Sequence, residues 1–444
     1  VHWGCILTGK NGNASDLAIA EIDTRCRAKE RERKVRHIKF LECIHCGKRH
    51  EALPAQCKCA DCQGLLEVVY DYDYVARQFG RADLASSREN NLWRYLPLLP
   101  VDPTTTRTPL RVGWTPLYHA SALAASIGLE TLYVKDDGQN PTGSLKDRAA
   151  AVGLAKALEA KAQSVACAST GNAASALAGN AAALGLKAYI FVPQRAPLGK
   201  LAQLLIFGAT VVSVQGSYES ALQLSAQAID LCGWYNHNAA INPYLLEGKK
   251  TVALEICEQL DWSVPDWVVV SVGDGCTIGG AWKGFWDAYQ VGLIDRLPKM
   301  LGVQAAGSCP ISRAFHSNEP LVPMPEDTLA DSIAVGAPLN PEKALRAVRN
   351  SGGTMVTVTD DEILQAMRHL GQMTGVFAEP AGAAVLAGLR KLIEQGMVGP
   401  KESVVLCVTG NGLKDVKNGI VAAGQPLSVP PDIKELLSLL PGSK

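Results

Sequence analysis

From Thr131 onward the chain alternates between two kinds of stretch. The runs "TLYVKDD", "SVACAST", "KAYIFVP", "ATVVSVQG", "DWVVVSVGDG", "MLGVQAAG", "TMVTVTD" and "SVVLCVTGNG" are short, β-branched and largely apolar, rather than polar at every second position. Between several of them lie Ala/Leu-rich segments of about ten residues or more, long enough for crossover helices. Apolar strands joined in this way predict an α/β fold of mostly parallel sheets covered by helices on both faces. Ligands in such folds gather beyond the carboxyl ends of the strands, and Gly-rich turns follow several of the strands there.

The N-terminal part reads differently. Residues 1–34 have weak periodicity, begin with Val1 and close on "RCRAKERERK", so residues 1–39 are expected to be a disordered arm or the product of a start assigned too early. Residues 40–85 form a Cys-rich, ribbon-like segment, and a polar, Pro-rich stretch follows around 86–116. The main region is placed at 86–430, in two α/β lobes with the smaller at about 135–250, and a tail at 431–444.

Composition narrows the functional classes. The chain is 47% hydrophobic and 19% charged, enough apolar material for a large core. Its 43 basic and 43 acidic residues cancel, which leaves no electrostatic footprint for nucleic acid or an anionic membrane surface. A small-molecule substrate is expected instead. The most apolar stretch, 173–192, is interrupted by Asn180 and Lys187, so no membrane span is expected. Thirteen cysteines without a signal-peptide pattern read as reduced thiols of a cytoplasmic protein.

Four motifs sit at strand ends or helix starts. In "NPTGSLKDR", Lys146 stands at the start of a helix, where the positive end of the dipole disfavours an ammonium. It is either a solvated lysine or an amine of lowered pKa, available for a Schiff base. In "ASTGNAASALAG", Ser169 or Thr170 is expected to cap an Ala-rich helix whose free N–H groups suit a carboxylate. An ordinary cap accounts for Ser169 but not for Gly171 and Asn172.

The third motif, "VVVSVGDGCTIGG", runs from strand to Gly-rich turn to helix, and the backbone of Gly273, Asp274, Gly275, Cys276 and Thr277 can cradle a phosphate. Its spacing is not that of a dinucleotide site, and the Asp274 carboxylate has to point away from any phosphate. In "LCVTGNGLKD", the Thr409 hydroxyl either meets a heteroaromatic nitrogen or caps the next turn. Together the four supply what pyridoxal 5'-phosphate requires. A nicotinamide-dependent dehydrogenase would rest on the glycine turn alone and leave Lys146 unexplained. Cys276 has no histidine near it in sequence and reads as a small turn residue, and Glu379-Pro380 reads as a structural turn at a strand end, with a role near the site left open.

A second constellation is Cys43-x2-Cys46 and Cys59-x2-Cys62, twelve residues apart, the spacing of a zinc ribbon. Cys57 is an alternative to Cys59. His45 and His50 are either substitute ligands or exposed loop residues. A nucleic-acid-binding ribbon is opposed by the neutral charge.

The motifs "GWTPL", "NPTGSLKDR", "STGN", "LGKLAQ", "NPYLLEGKKT", "MLGVQAAG", "FAEPAGAA" and "TGNGLKD" run in one order from about Gly113 to Asp415. In that order the chain resembles the threonine synthase family of fold-type II pyridoxal-phosphate enzymes. The resemblance implies a tryptophan-synthase-β-like pair of open sheets and conversion of O-phosphohomoserine to threonine and phosphate. It also implies that Lys146 carries the cofactor, that Asn172 bonds its phenolic oxygen, that Gly273–Thr277 grip its phosphate, and that Thr409 faces the ring nitrogen. The substrate carboxylate would dock on Ser169, Thr170 and Gly171. By analogy the chain is a homodimer, and the Cys-rich segment is a structural clip.

Certain positions depart from the family. Leu245 stands where an arginine grips the substrate phosphate, Ala173 replaces a hydroxyl, and Ala239-Ala240 replace an Asn-Ser pair. "GDGCT" stands for G-N-A-G-N, and Leu145 for an aromatic residue. Losing a bidentate arginine alone weakens a phosphate by roughly a hundredfold. These changes favour a serine/threonine dehydratase or a β-replacement enzyme as the alternative reaction.

Overall fold

The computed structural model describes residues 36–169, 171–194, 198–216 and 218–440. Thr170, nearly all of the expected arm and the last four residues of the expected tail therefore lie outside the described residues. Among the described residues, thirteen strands form three sheets. The first is antiparallel, in the order β2-β1-β3, from β1 (Ile38–Cys43), β2 (Arg49–His50) and β3 (Leu66–Tyr70).

The largest sheet uses β4 (Leu117–His119), β5 (Leu132–Asp136), β10 (Trp267–Ser271), β11 (Lys299–Ala305), β12 (Thr354–Val358) and β13 (Val404–Val408), in the order β12-β11-β10-β13-β5-β4. Only its edge strand β4 runs antiparallel. The third sheet is wholly parallel, in the order β8-β7-β6-β9, from β6 (Ser164–Ala168), β7 (Lys187–Pro193), β8 (Thr210–Val214) and β9 (Tyr235–Asn236). Each of the eight runs expected as strands contains one.

The unbroken apolar character of the central strands follows from burial on both faces. Along β10, Trp267 and Val269 enter one core with helices Asp360–Thr374 and Pro380–Glu394. Val268 and Val270 enter the opposite core with helices Thr251–Gln259, Cys276–Gln290 and Pro341–Asn350. The side-chain period of two thus places alternate valines in two separate cores.

The helix Pro243–Lys249 runs alongside the helix Lys146–Glu159, and glycines set their separation. A Cβ on Gly248 would lie 2.0 Å from the Arg148 carbonyl oxygen, and one on Gly153 would lie 2.7 Å from Leu245 Cδ1. These contacts show the helices antiparallel: residue 245 sits at the level of 153, and residue 248 at the level of 148–149. The N-terminal sheet docks on the same region. Tyr70 Oη donates to Glu247 Oε2 at 2.7 Å, and Tyr244 Oη to the Leu53 carbonyl at 2.7 Å.

Because the clash at residue 248 is with backbone, Gly248→Ala has to push the two helices apart. It is expected to destabilise the protein by about 2–3 kcal/mol in denaturant unfolding, whereas the exposed Gly185→Ala, at a left-handed helix end, should cost less.

Candidate active site

Lys146 begins its helix after the loop that follows β5, and its neighbours are held from both sides. Asp147 Oδ2 accepts from the Thr142 backbone N–H at 2.9 Å and from Thr142 Oγ1 at 3.0 Å, while Asn180 Nδ2 donates to its Oδ1 at 2.8 Å. The Leu145 N–H donates to the Thr409 carbonyl at 2.9 Å, and the Asn411 N–H to the Gly143 carbonyl at 3.0 Å. The turn before Lys146 is thereby fastened to the segment that leaves β13.

Arg148 is fully buried. It donates to Asp137 Oδ2 and Oδ1, each at 2.8 Å, to Glu255 Oε2 at 2.8 Å and again to Glu255 Oε1, and to Thr251 and Thr115. Lys135 Nζ donates to the same Glu255 at 2.7 Å and to the Thr115 carbonyl at 2.7 Å. Burial by itself would raise the Glu255 pKa; Arg148 and Lys135 outweigh it and hold the carboxyl at about 2.

Between these buried neighbours, Lys146 stays partly exposed. Its amine is lowered to about 8, first by burial and then by the ammonium of Lys249, with Glu379, Cys276 and Asp274 acting in the opposite sense. About a tenth is thus neutral and nucleophilic at pH 7, far more than for an ordinary lysine.

Asn172 opens the helix Asn172–Leu184, but the cap is Gly171, not Ser169 or Thr170, and no side chain caps it. Ser169 Oγ instead accepts from the Gly171 N–H at 3.3 Å. Its oxygen is thus engaged by the cap residue itself and not by the helix amides that follow. Asn172 Nδ2 donates to Glu379 Oε1 at 2.8 Å and to Ser332 Oγ at 3.3 Å.

Glu379, expected from the sequence in a structural turn, is the buried carboxylate that Asn172 reaches. It is 4% exposed, its pKa is raised by burial, and a Cβ on Gly410 would lie 2.3 Å from its carboxylate. It occupies the N-cap position of the helix Pro380–Glu394 without making a side-chain cap bond. Glutamate is not among the favoured N-caps, which was the available signal that this carboxyl has another partner.

At the glycine turn, Gly275 has φ +95° and a Cβ there would lie 2.5 Å from the Asn340 carbonyl, so both conformation and space require glycine. The first bond of the helix Cys276–Gln290 runs from the Gly279 N–H to the Gly275 carbonyl, leaving the amides of Cys276, Thr277 and Ile278 without helical acceptors. Asp274 Oδ1 accepts from the Leu339 N–H at 3.1 Å and so is engaged elsewhere. The Cys276 thiol donates to the Ala239 carbonyl at 3.6 Å, as a packed turn residue does. Thr409 is buried at the first position beyond β13.

The structure therefore brings Lys146 close to the 273–277 turn through Asp274 and Cys276, to Asn172 through Glu379, and to Thr409 through the Leu145 bond, and it leaves Ser169, Gly171 and Ala173 partly exposed. Free amides at a helix start, a carboxamide and a lowered amine fit the phosphate, ring hydroxyl and aldehyde of pyridoxal phosphate. Leu245 is elsewhere: it is 1% exposed and packs toward Gly153, two turns along the helix from Lys146.

In the N-terminal sheet the sulfurs of Cys43, Cys46, Cys59 and Cys62 all lie within 4.8 Å of one another, with separations of 3.5, 3.7 and 3.4 Å for 43–62, 46–59 and 46–62. A tetrahedral zinc with Zn–S near 2.3 Å needs sulfurs about 3.8 Å apart. The four can hold such an ion. Cys57 is outside the group, and His50 Nε2 lies 3.2 Å from Cys59 Sγ.

Residues 109–410 match the family model described as pyridoxal-phosphate dependent enzyme. This is the class that fold and site define, and the chain works with that cofactor as a lyase on a small amino-acid substrate. It is 42% identical to threonine synthase of Methanocaldococcus jannaschii, covering 90% of this chain and 98% of that one. It is 43% identical to threonine synthase of Methanosarcina acetivorans, covering 88% and 96%. The processed form of threonine deaminase isoform 2 from Solanum lycopersicum shares the fold, with a TM-score of 0.61 at 24% identity over 70% of this chain and 83% of that one. The chain belongs to the threonine synthase family. No helix among the described residues is long and apolar enough to cross a membrane.

The depressed Glu255 pKa has a measurable consequence. The stability it contributes is present above about 4.5 and is lost as pH falls toward 2, about 3 kcal/mol in all. Glu255→Gln should be less stable at neutral pH, and its unfolding free energy should fall less steeply between pH 4.5 and 2 than that of the unaltered protein.

Proposed function

We propose that the chain converts O-phosphohomoserine to threonine and inorganic phosphate, with Lys146 carrying the cofactor. The observation that carries this reading is the Lys146 amine, lowered to about 8 and set between free helix amides and the Asn172 carboxamide. When bound, the cofactor draws electron density away from Cα of the substrate. The amides of Gly273–Thr277 hold its phosphate, Asn172 its phenolic oxygen, and the Thr409 hydroxyl the ring nitrogen.

The remaining steps belong to the protein's own groups. Ser169, Thr170 and Gly171 receive the substrate carboxylate at the start of the helix Asn172–Leu184. Lys146 Nζ, freed by the substrate amine, takes the Cα proton as general base. A Cβ proton is removed as well, and the electron pair left at Cβ expels the phosphate from Cγ. One of the two protons taken returns to Cγ, making the methyl group, the other leaves with the phosphate, and water adds its hydroxyl at Cβ and its proton at Cα. Thr409, a neutral partner for the ring, suits elimination better than transamination.

A second reaction is favoured by a specific observation: Ala173, Ala239 and Ala240 offer no side-chain polar atom near the site. Serine or threonine dehydration, or β-replacement, would need no phosphate-binding group. Titrating the holoenzyme with O-phosphohomoserine, L-serine and L-threonine while assaying products separates the two. Equal amounts of phosphate and threonine from O-phosphohomoserine support the first reading; keto acid from serine or threonine, with O-phosphohomoserine inert, replaces it with the second. Lys146→Ala should lower turnover by roughly a thousandfold or more and abolish the visible absorbance of a lysine-bound cofactor.

We further infer that Cys43, Cys46, Cys59 and Cys62 hold one structural zinc, that residues 40–85 act as a clip on the catalytic region at 86–430, and that the enzyme is a cytoplasmic homodimer. The near-tetrahedral sulfurs support the first of these, and the family resemblance supports the last. Metal analysis should give one zinc per chain, and Cys62→Ser should lower both the zinc content and the melting temperature.

A further inference from the structure

Six lysines are buried among the described residues: Lys135, Lys156, Lys249, Lys250, Lys283 and Lys343. Five have a partner. Lys135 is bonded to Glu255, Lys156 to Glu159, Lys250 to Glu247 and Asp287, Lys283 to Asp287, and Lys343 to the Leu66 carbonyl. Lys249, only 1% exposed, has neither a hydrogen-bond acceptor nor an ion-pair partner among the described residues. Its Nζ is not one of the sealed atoms that lack a partner, so the side chain is packed while the ammonium tip stays open, with no group among the described residues to neutralise it and a second amine nearby. That second one is the Lys146 amine, whose electrostatic neighbours include Lys249.

The position of Lys249 follows from the antiparallel seam of the two helices. Gly248 lies against Arg148 and Ala149, and Leu245 against Gly153. The C-terminal end of the helix Pro243–Lys249 therefore abuts the first turn of the helix Lys146–Glu159. A cation at 249 is about 6 Å further along its helix than one at 245, in the direction of Lys146. On its other side the Lys249 Cβ lies 3.0 Å from where a Cβ on Gly280 would be, one turn into the helix whose free amides form the glycine turn. His237 is a further electrostatic neighbour, and burial holds it neutral, lowered to about 4, so it supplies no counter-charge. Two carboxylates lie near Lys146, and both are committed elsewhere: Glu379 to Asn172 and Ser332, and Asp274 to the Leu339 amide.

We propose that Lys249 binds the phosphate ester of the substrate side chain, supplying from one turn further along the helix the cation that Leu245 does not provide. This rests on the reading that Lys146 holds the cofactor and that the substrate carries a phosphate. The cofactor's own phosphate is the other anion within the same chemistry, and the free amides of Cys276–Ile278 already serve it.

The test uses the holoenzyme and its Lys249→Gln, Lys249→Met and Lys249→Arg variants. Dissociation constants for inorganic phosphate and for O-phosphohomoserine are measured by calorimetry and visible absorbance, together with those for L-threonine and for the cofactor. The Gln and Met variants should bind both phosphates roughly tenfold or more weakly, with L-threonine and cofactor affinities within about twofold, and Arg should restore most of the loss. Because the ammonium is unpaired, the apo Lys249→Met protein should melt no lower than the unaltered one, so the loss is not one of folding. Phosphate affinities unchanged in Lys249→Met would overturn the proposal, as would a variant that sheds the cofactor while still binding added phosphate normally. If the unaltered enzyme binds inorganic phosphate through Lys249 but does not turn over O-phosphohomoserine, the proposed reaction fails and the anion site stands.

Discussion

The guanidinium of Arg148 is the contact on which the rest of the site depends. It holds Asp137 from the loop after β5 and Glu255 from the helix Thr251–Gln259, and Lys135 closes the cluster from within β5. Such a group is stable in the interior only when every charge has a partner, and removing one partner from a pair of this kind typically costs about 3–5 kcal/mol. The cluster therefore fixes the register of the helix Lys146–Glu159 against its neighbours. Lys146 stands two residues before the arginine, so its place in the cleft is set by charges that never touch a substrate.

Glycines make the second constraint. The seam between the helices Lys146–Glu159 and Pro243–Lys249 closes to backbone contact at Gly248, and the helix Cys276–Gln290 closes on Lys250 and Ala253 at Gly284. Close approach brings three helices to one point, two of them, Lys146–Glu159 and Cys276–Gln290, by their N-termini. The result is a site with positive character: free amides, the Lys249 side chain, the lowered Lys146 amine and carboxyls that are already hydrogen-bonded. An anionic cofactor and an anionic substrate complement that field, whereas a chain with zero net charge gives no sign of it.

Much of this was legible in the sequence. The β-branched runs located the principal strands because burial on both faces leaves no room for polar alternation, and the four motifs pointed to the proposed site because each couples a glycine or a cap to a reactive group. Other features were not legible, for physical reasons. The helix at Asn172 is capped by Gly171 without a side-chain bond, because the Ser169 hydroxyl is taken by the Gly171 amide. The Arg148–Glu255 pairing joins residues 107 apart in sequence, and no local pattern encodes it. Glu379 looked like a turn residue and proves to reach Asn172. Leu245 appeared to mark the loss of an anion site, but its side chain lies in a helix seam, and the cation that counts is its neighbour one turn on.

The most direct measurement is to reduce the holoenzyme with borohydride, digest it and locate the phosphopyridoxyl group by peptide mass. The account predicts the added mass on the peptide carrying Lys146, with Lys249 unmodified. Attachment at Lys249, or at any other lysine, would contradict it, because the amine that bonds the cofactor would then not be that of Lys146, whose neighbours Leu145 and Asp147 are fixed by the Thr409 carbonyl and by Thr142 and Asn180.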